Sequence, residues 1–338
     1  MYRFGISGIP LSSKGRMLRD AIEDTYEMGL NAIEIPFFKV NVTEKEALDE
    51  VGYFPREVVP GLKDESKIIV DVFRPDENGD YKPQGIDVKI EENDILRILQ
   101  WNLARSYEEL RDLGRMAKEL DLVLTVHTPN YMDFTSGNEF TERCINYINW
   151  SSLIANELGA IGVVFNLGIY NPKNAKMDMK TITENIKVAR ERVVKSNLNV
   201  NFFIETSGKR QVAGSLEEVI SVITKVKDTY PVINFPKVAA RLGKVITNQK
   251  DFEELINKVE KFYSNSIYMQ YAGLEFSPEN VMRLAPIKKG DMKFESLAEV
   301  LLEKEIDSTI ISVSPLLEHD AQYMRVILER IIEKKIGK

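Results

Sequence analysis

Apolar and polar positions along the 338-residue chain follow two periods. Short runs that are wholly apolar, or apolar at every second position, occur at YRFGIS (2–7), NAIEIPF (31–37), LVLTVH (122–127), IGVVFN (161–166), NFFIET (201–206), PVINF (231–235), SIYMQYA (266–272) and STIISVS (308–314). Most are followed by longer stretches whose apolar residues recur every three or four positions, such as EFTERCINYINWSSLIANEL, SLEEVISVITKVKD, DFEELINKVEKFY and DAQYMRVILERIIEK. The first period marks strands and the second marks amphipathic helices. Eight strands with helical connections predict an α/β chain, a (β/α)8 TIM barrel forming a single domain over residues 1–338. An open doubly wound sheet is the main competitor. The barrel is preferred because no G-x-G-x-x-G follows the first strand, and because polar residues fall at the C-terminal ends of many different strands.

One interval breaks the rhythm. About eighty residues separate the second strand from the third, where a strand-helix-strand unit needs only about thirty. The excess predicts an inserted subdomain over residues 48–96, with KIIVDVF and GIDVKI pairing as a hairpin across PDENGDYKPQG, and a long helical stretch from about Glu92 to Glu119. Leaving from the end of a barrel strand, it would sit on the face where barrel sites form, covering the mouth or meeting a protein partner.

Composition narrows the class. Of 338 residues, 43% are hydrophobic, enough for a large core. A single cysteine, Cys144, excludes an internal disulfide and fits a reducing compartment; its helical run makes it a core residue. Without an apolar leader or a run of about 18 apolar residues, the expectation is a cytoplasmic protein with no membrane partner. A net charge of -7 gives no broad attraction for nucleic acid, although a local basic cleft would still serve one. Two histidines, His127 and His319, are too few for a zinc cluster built on imidazoles.

The polar strand ends carry the candidate chemistry: Glu34, His127, Asn166, Glu205, Asn234 with Lys237, Gln270, and Ser312 or Ser314. Glu205 follows NFFI, and a buried carboxylate stays charged only with a cation, a metal or hydrogen bonds. Lys237 or Arg241 would be its structural counter-ion. His127 suits a metal, a base or a hydrogen bond. The amides are weak ligands for zinc, whereas Lys237 suits a phosphate or carboxylate, or fills the charge role of a cation. His319, between Glu318 and Asp320, reads as a solvated helix start. The loops SGIPLSSKGR, TSGKRQVAGS and RLAPIKKGD suit anions, especially with Ser215 capping the following helix, but none is G-x-x-x-x-G-K-[ST].

RFGISGIPLSSKGR, GLNAIEIPF, LVLTVHTPNYMDF, IGVVFNLGIY, FIETSGKRQVAGSLEEV, PVINFPKVAAR, QYAGLEFSPENVMRLAP and ISVSPLLEHDAQYMR together resemble successive motifs of the endonuclease IV family, in its archaeal-type branch. The resemblance spans nearly the whole chain outside the insertion. It implies a barrel of the xylose-isomerase-like superfamily and, in ordinary members, a three-zinc cluster that cleaves DNA 5′ of abasic sites in repair. It also implies ligand roles for His127 and Glu205. The remaining ligand positions depart from the family: Asn166, Asn234, Lys237, Gln270, Val281, Arg283 and Val313 stand where histidines and carboxylates are expected, and Asn130 replaces a tyrosine. Three clustered cations need anionic or neutral ligands to hold them against mutual repulsion. Lys237 and Arg283 instead supply positive charge that would hold an anion but not generate a metal hydroxide.

The leading expectation is therefore a divergent endonuclease IV-like protein without three-zinc chemistry or any cofactor. Its anion pocket would comprise Glu34, His127, Asn166, Glu205, Asn234, Lys237, Gln270 and Arg283, for a phosphosugar or nucleic acid. Glu205, His127 and Lys237 are the candidates for any catalytic role. The alternatives are a phosphoesterase or endonuclease with one zinc or manganese ion at His127 and Glu205, helped by Asp133 or an acid from the insertion, and an interaction protein that uses the insertion.

Overall fold

The computed structural model describes residues 1–61, 67–276 and 282–337. The chain begins with β1 (Tyr2–Ser7), α1 (Leu18–Glu27) and β2 (Ala32–Pro36), then departs into β3 (Asn41–Glu46), β4 (Ile68–Pro75), β5 (Tyr81–Pro83) and β6 (Ile95–Gln100). It returns through α2 (Tyr107–Glu119), β7 (Val123–His127), α3 (Glu139–Glu157), β8 (Gly162–Phe165), α4 (Ala175–Lys195) and β9 (Asn201–Glu205). Next come α5 (Leu216–Ile223), β10 (Thr229–Asn234), α6 (Phe235–Leu242), α7 (Gln249–Val259) and β11 (Ile267–Tyr271). A short hairpin, β12 (Gly273–Phe276) and β13 (Met282–Ala285), precedes α8 (Phe294–Glu303), β14 (Ser308–Ser312) and α9 (Leu317–Ile336).

Eight of these strands close a parallel barrel in the order β1-β14-β11-β10-β9-β8-β7-β2. They are the eight short runs seen in the sequence. Ala32, Val164, Phe203, Val232, Tyr268 and Ile311 pack together inside the barrel, and Thr125 Oγ1 meets the Tyr268 hydroxyl at 2.9 Å across it. Side chains two positions further along share that face because strand side chains alternate. The inner layer above the apolar floor is therefore Ser7, Glu34, His127, Asn166, Glu205, Asn234 and Gln270, with Val313 completing the ring just beyond β14. Ser312, one position earlier, points the other way.

The insertion folds differently from its sequence pattern. The partner of β4 across the turn is Tyr81–Pro83, not GIDVKI, and residues 95–100 form the strand β6 rather than the start of a long helix. β6 pairs with both β3 and β4, so its apolar positions serve two different cores: Leu96 and Ile98 lie in the small core of the insertion, Leu99 in the barrel's outer core. That double burial mimics helical spacing. The described tethers of this sheet run to the outer helices. The Tyr107 hydroxyl of α2 donates to the Ile69 carbonyl at 2.8 Å, and Arg56 binds Glu157, the last residue of α3, at 3.0 Å. The insertion is thus held along the barrel's flank.

Gly114 shows how closely α2 and α3 approach. A Cβ there would meet the carbonyl oxygen of Leu158 at 2.5 Å. Gly114→Ala gains about 1 kcal/mol of helix propensity and loses about 1–3 kcal/mol to overpacking. The expected net result is a lower thermal midpoint, read by circular dichroism; a rise would show that the helices simply move apart.

Candidate functional site

The inner ring resolves into two hydrogen-bonded groups joined at α6. In the first, Glu34 is 1% exposed and accepts from Ser7 Oγ (2.8 Å), the Tyr268 hydroxyl (2.8 Å) and Gln270 Nε2 (2.7 Å). Gln270 Oε1 then accepts from Asn234 Nδ2 at 2.6 Å, and Asn234 Oδ1 accepts from the Lys237 backbone N–H at 3.1 Å. Asn234 therefore ends β10 and caps α6 with the same side chain. Pro236, in the first turn of that helix, needs no amide donor.

In the second group, Lys237 Nζ donates to Glu205 Oε1, and His127 Nε2 lies 3.7 Å from the same oxygen. His127 Nδ1 is 2.6 Å from the Thr128 carbonyl oxygen. A carbonyl only accepts, so Nδ1 carries a proton; Nε2, facing a carboxylate, is favoured with a proton too. The geometry selects the imidazolium. Burial alone would disfavour that charge, but the neighbouring Glu34 and Glu205 carboxylates outweigh it and push the His127 pKa up to about 9. Burial would likewise raise Glu205; the Lys237 charge, then His127, reverses this and holds it down at about 2. The three groups are layered: the Glu205 side chain is 1% exposed, His127 12% and Lys237 34%. Carboxylate lies beneath, cation above.

The remaining sequence candidates are placed as follows. Asn166 Nδ2 donates to the Asn130 carbonyl at 2.8 Å and its Oδ1 accepts from Gly168 N–H at 2.9 Å, so its amide clasps two loops. Arg241 reaches Glu218 at 3.1 Å rather than Glu205, and Ser215 caps α5 by accepting from Glu218 N–H at 3.2 Å. Asp133 is committed to Thr135 and Ser136 of its own loop, and Ser314 to Asp320 and the Leu316 amide. Cys144 is buried, and burial pushes its thiol pKa up. His319 is exposed on the first turn of α9. Arg283 is exposed on β13, opposite Glu275, and Val281 lies outside the described residues. Among the described residues, no group of three or more His, Cys, Asp or Glu side chains is placed to hold a metal ion. The donors do not fit a three-zinc cluster.

Sequence reasoning passed over Ser7, Tyr268 and Thr125, the inner partners of the ring. Period-two counting back from Gln270 and His127 reaches Tyr268 and Thr125, and Ser7 closes the first apolar run. It also passed over the rim. Leu11, Phe38, Tyr131, Ile169, Leu284 and Leu316 are exposed large apolar side chains, Tyr131 at 75%, and each lies on a segment following a barrel strand. Lys14, Arg16, Lys39 and Arg283 lie on the same segments, and Lys209 and Arg210 on the one following β9, with no described carboxylate in ion-pair contact with any of them.

No protein-family model matches the chain. It is 25% identical over 217 residues to the uncharacterized protein MJ0133 of Methanocaldococcus jannaschii, a span of 62% of this chain and 79% of that protein. Its fold is similar to that of endonuclease IV from Thermus thermophilus (TM-score 0.59, 14% identity, 96% of this chain and 99% of that one). The chain has the barrel of these enzymes. Similarity extends equally to the E. coli 3-keto-D-glucoside 4-epimerase YcjR (TM-score 0.57, 9% identity, 96% and 100% covered) and to an L-ribulose 3-epimerase (TM-score 0.57, 12% identity, 99% and 97% covered). Identities this low establish shared architecture and leave the chemistry to the site. No described helix is long and apolar enough to cross a membrane.

Proposed function

We propose that the C-terminal mouth of the barrel binds a phosphate-bearing, hydroxylated ligand without a metal ion. The observation that carries this reading is the Lys237 ammonium seated on Glu205, with His127 beside it. A tethered cation already neutralises the carboxylate that a metal would need, and a divalent ion would have to expel it. Because the cations lie nearer the opening than the carboxylates, an incoming ligand meets positive charge and donors first. Beneath them Glu34, Gln270 and Asn234, buried and hydrogen-bonded to one another, form a polar floor compatible with a hydroxylated ligand. The basic and apolar rim favours a ligand with more than one phosphate and with planar apolar groups, hence the end of a nucleic-acid strand over a free phosphosugar.

The test is calorimetric titration of ribose 5-phosphate and of a short 5′-phosphorylated oligonucleotide, alongside elemental analysis of protein purified without chelator. The expected result is tighter binding of the oligonucleotide, little bound metal, and a loss of about tenfold in affinity, about 1.4 kcal/mol, in Lys237→Gln but not in Lys237→Arg. Stoichiometric metal, or the absence of binding by both ligands, would overturn the reading.

A further inference from the structure

A cavity of about 580 Å³ lies beside α6, on the flank next to the one that presents Lys237. Its walls are Leu216 at the start of α5, Val238 and Leu242 on α6, Ile246, and Leu255 on α7. Three cations border it, and each is already paired: Lys258 with Glu217 at 2.9 Å, Lys244 with Asp251 at 3.2 Å, and Arg241 with Glu218 at 3.1 Å. These pairs tie α7 to α5, the α6–α7 turn to α7, and α6 to α5. Glu254 borders the cavity as well, exposed to water and outside these pairs, so the rim carries one solvated negative charge beyond three neutral pairs and no free cation to select an anion. Leu242 is 63% exposed at its border, apolar surface that an occupant would cover.

We propose that this cavity is a second ligand site, distinct from the barrel mouth, for a neutral and largely apolar small molecule. The volume lies within the usual range for such ligands. A helix about 10 Å across would fill it within about a turn and a half, too little for a helical partner to be anchored. Paired rim charges offer hydrogen bonds at the edge without the desolvation cost of an unpaired ion. Occupancy is also felt at the mouth, because two of its borders are continuous with the site. Ser207 and Gly214 belong to the loop that follows Glu205 and are joined by the Ser207 N–H to Gly214 carbonyl bond of 2.7 Å. Val238 is the residue after Lys237 on a helix of two turns.

The experiment is a fluorescence titration of the full chain with N-phenyl-1-naphthylamine, a neutral apolar probe, with methyl NMR of the wild-type protein at saturation. The expected outcome is saturable binding of one probe per chain, methyl shifts centred on Leu216, Val238 and Leu255, and a loss of at least tenfold in affinity in both Val238→Trp and Leu255→Trp. The His127 ring resonances should shift on saturation. Unsaturable binding, no binding, methyl shifts centred elsewhere, or unchanged affinity in a folded tryptophan variant each overturns the proposal. The wild-type NMR arm stands even if a variant does not fold. No mouth ligand enters the experiment, so its failure is separate from failure of the phosphate reading.

Discussion

Lys237→Met lowers the urea midpoint of unfolding by an amount equivalent to about 2 kcal/mol. Breaking a buried ion pair by removing one partner costs about 3–5 kcal/mol, because the other charge stays behind without compensation. Two features reduce the loss here. The Lys237 side chain is one-third exposed, which screens the pair, and His127 continues to face Glu205 from 3.7 Å. The pair is still worth more than a surface bridge because Glu205 itself is 1% exposed and cannot turn to water. The double variant Lys237→Met with Glu205→Gln restores most of the loss, since it removes the stranded charge along with its partner. A single-variant change below about 0.5 kcal/mol, the scale of a surface substitution, would mean that Lys237 is a solvated lysine resting near the site.

His127 titrates well above an ordinary histidine, and Glu205→Gln brings it down. The chain contains only two histidines, so the ring signals can be assigned with a His319→Asn variant. The folded pKa of about 9 exceeds the ordinary value of 6.5. The imidazolium therefore contributes stability fully below pH 6.5, and the contribution is lost as pH rises through 9. For Glu205 the sign is opposite. With its pKa held at about 2 against 4.5, its contribution is full above pH 4.5 and lost as pH falls toward 2. Both are complete between pH 4.5 and 6.5, and the alkaline loss is on the order of 3 kcal/mol. The two groups share one oxygen, so this loss and that of Lys237→Met do not add. A His127 transition near 6.5 that Glu205→Gln does not move would remove the imidazolium from the site.

The barrel was legible from one-dimensional pattern because each barrel strand buries both faces, one in the interior and one against the helices. That requirement leaves a short apolar run wherever a strand occurs, and polar residues at the C-terminal ends mark the mouth. Glu34, His127, Glu205, Asn234 and Gln270 could be placed on one ring from position alone. Residues 95–100 could not be read the same way: β6 divides its side chains between two cores, and its pattern imitates a helix until both neighbours, β3 and β4, are in place.

Sequence by itself determined the eight strands, their helical connections, and the amides and lysine that stand at the strand ends. Tertiary structure alone decided which partner each polar group takes. Arg241 and Lys237 stand four residues apart, yet one reaches Glu218 and the other Glu205. Asn166 and Asn234 look equivalent at their strand ends, yet one clasps loops and the other caps a helix while holding Gln270. The physical reason is range: burial imprints a period on the chain, whereas an ion pair or hydrogen bond depends on ångström-scale approach between residues tens to hundreds of positions apart.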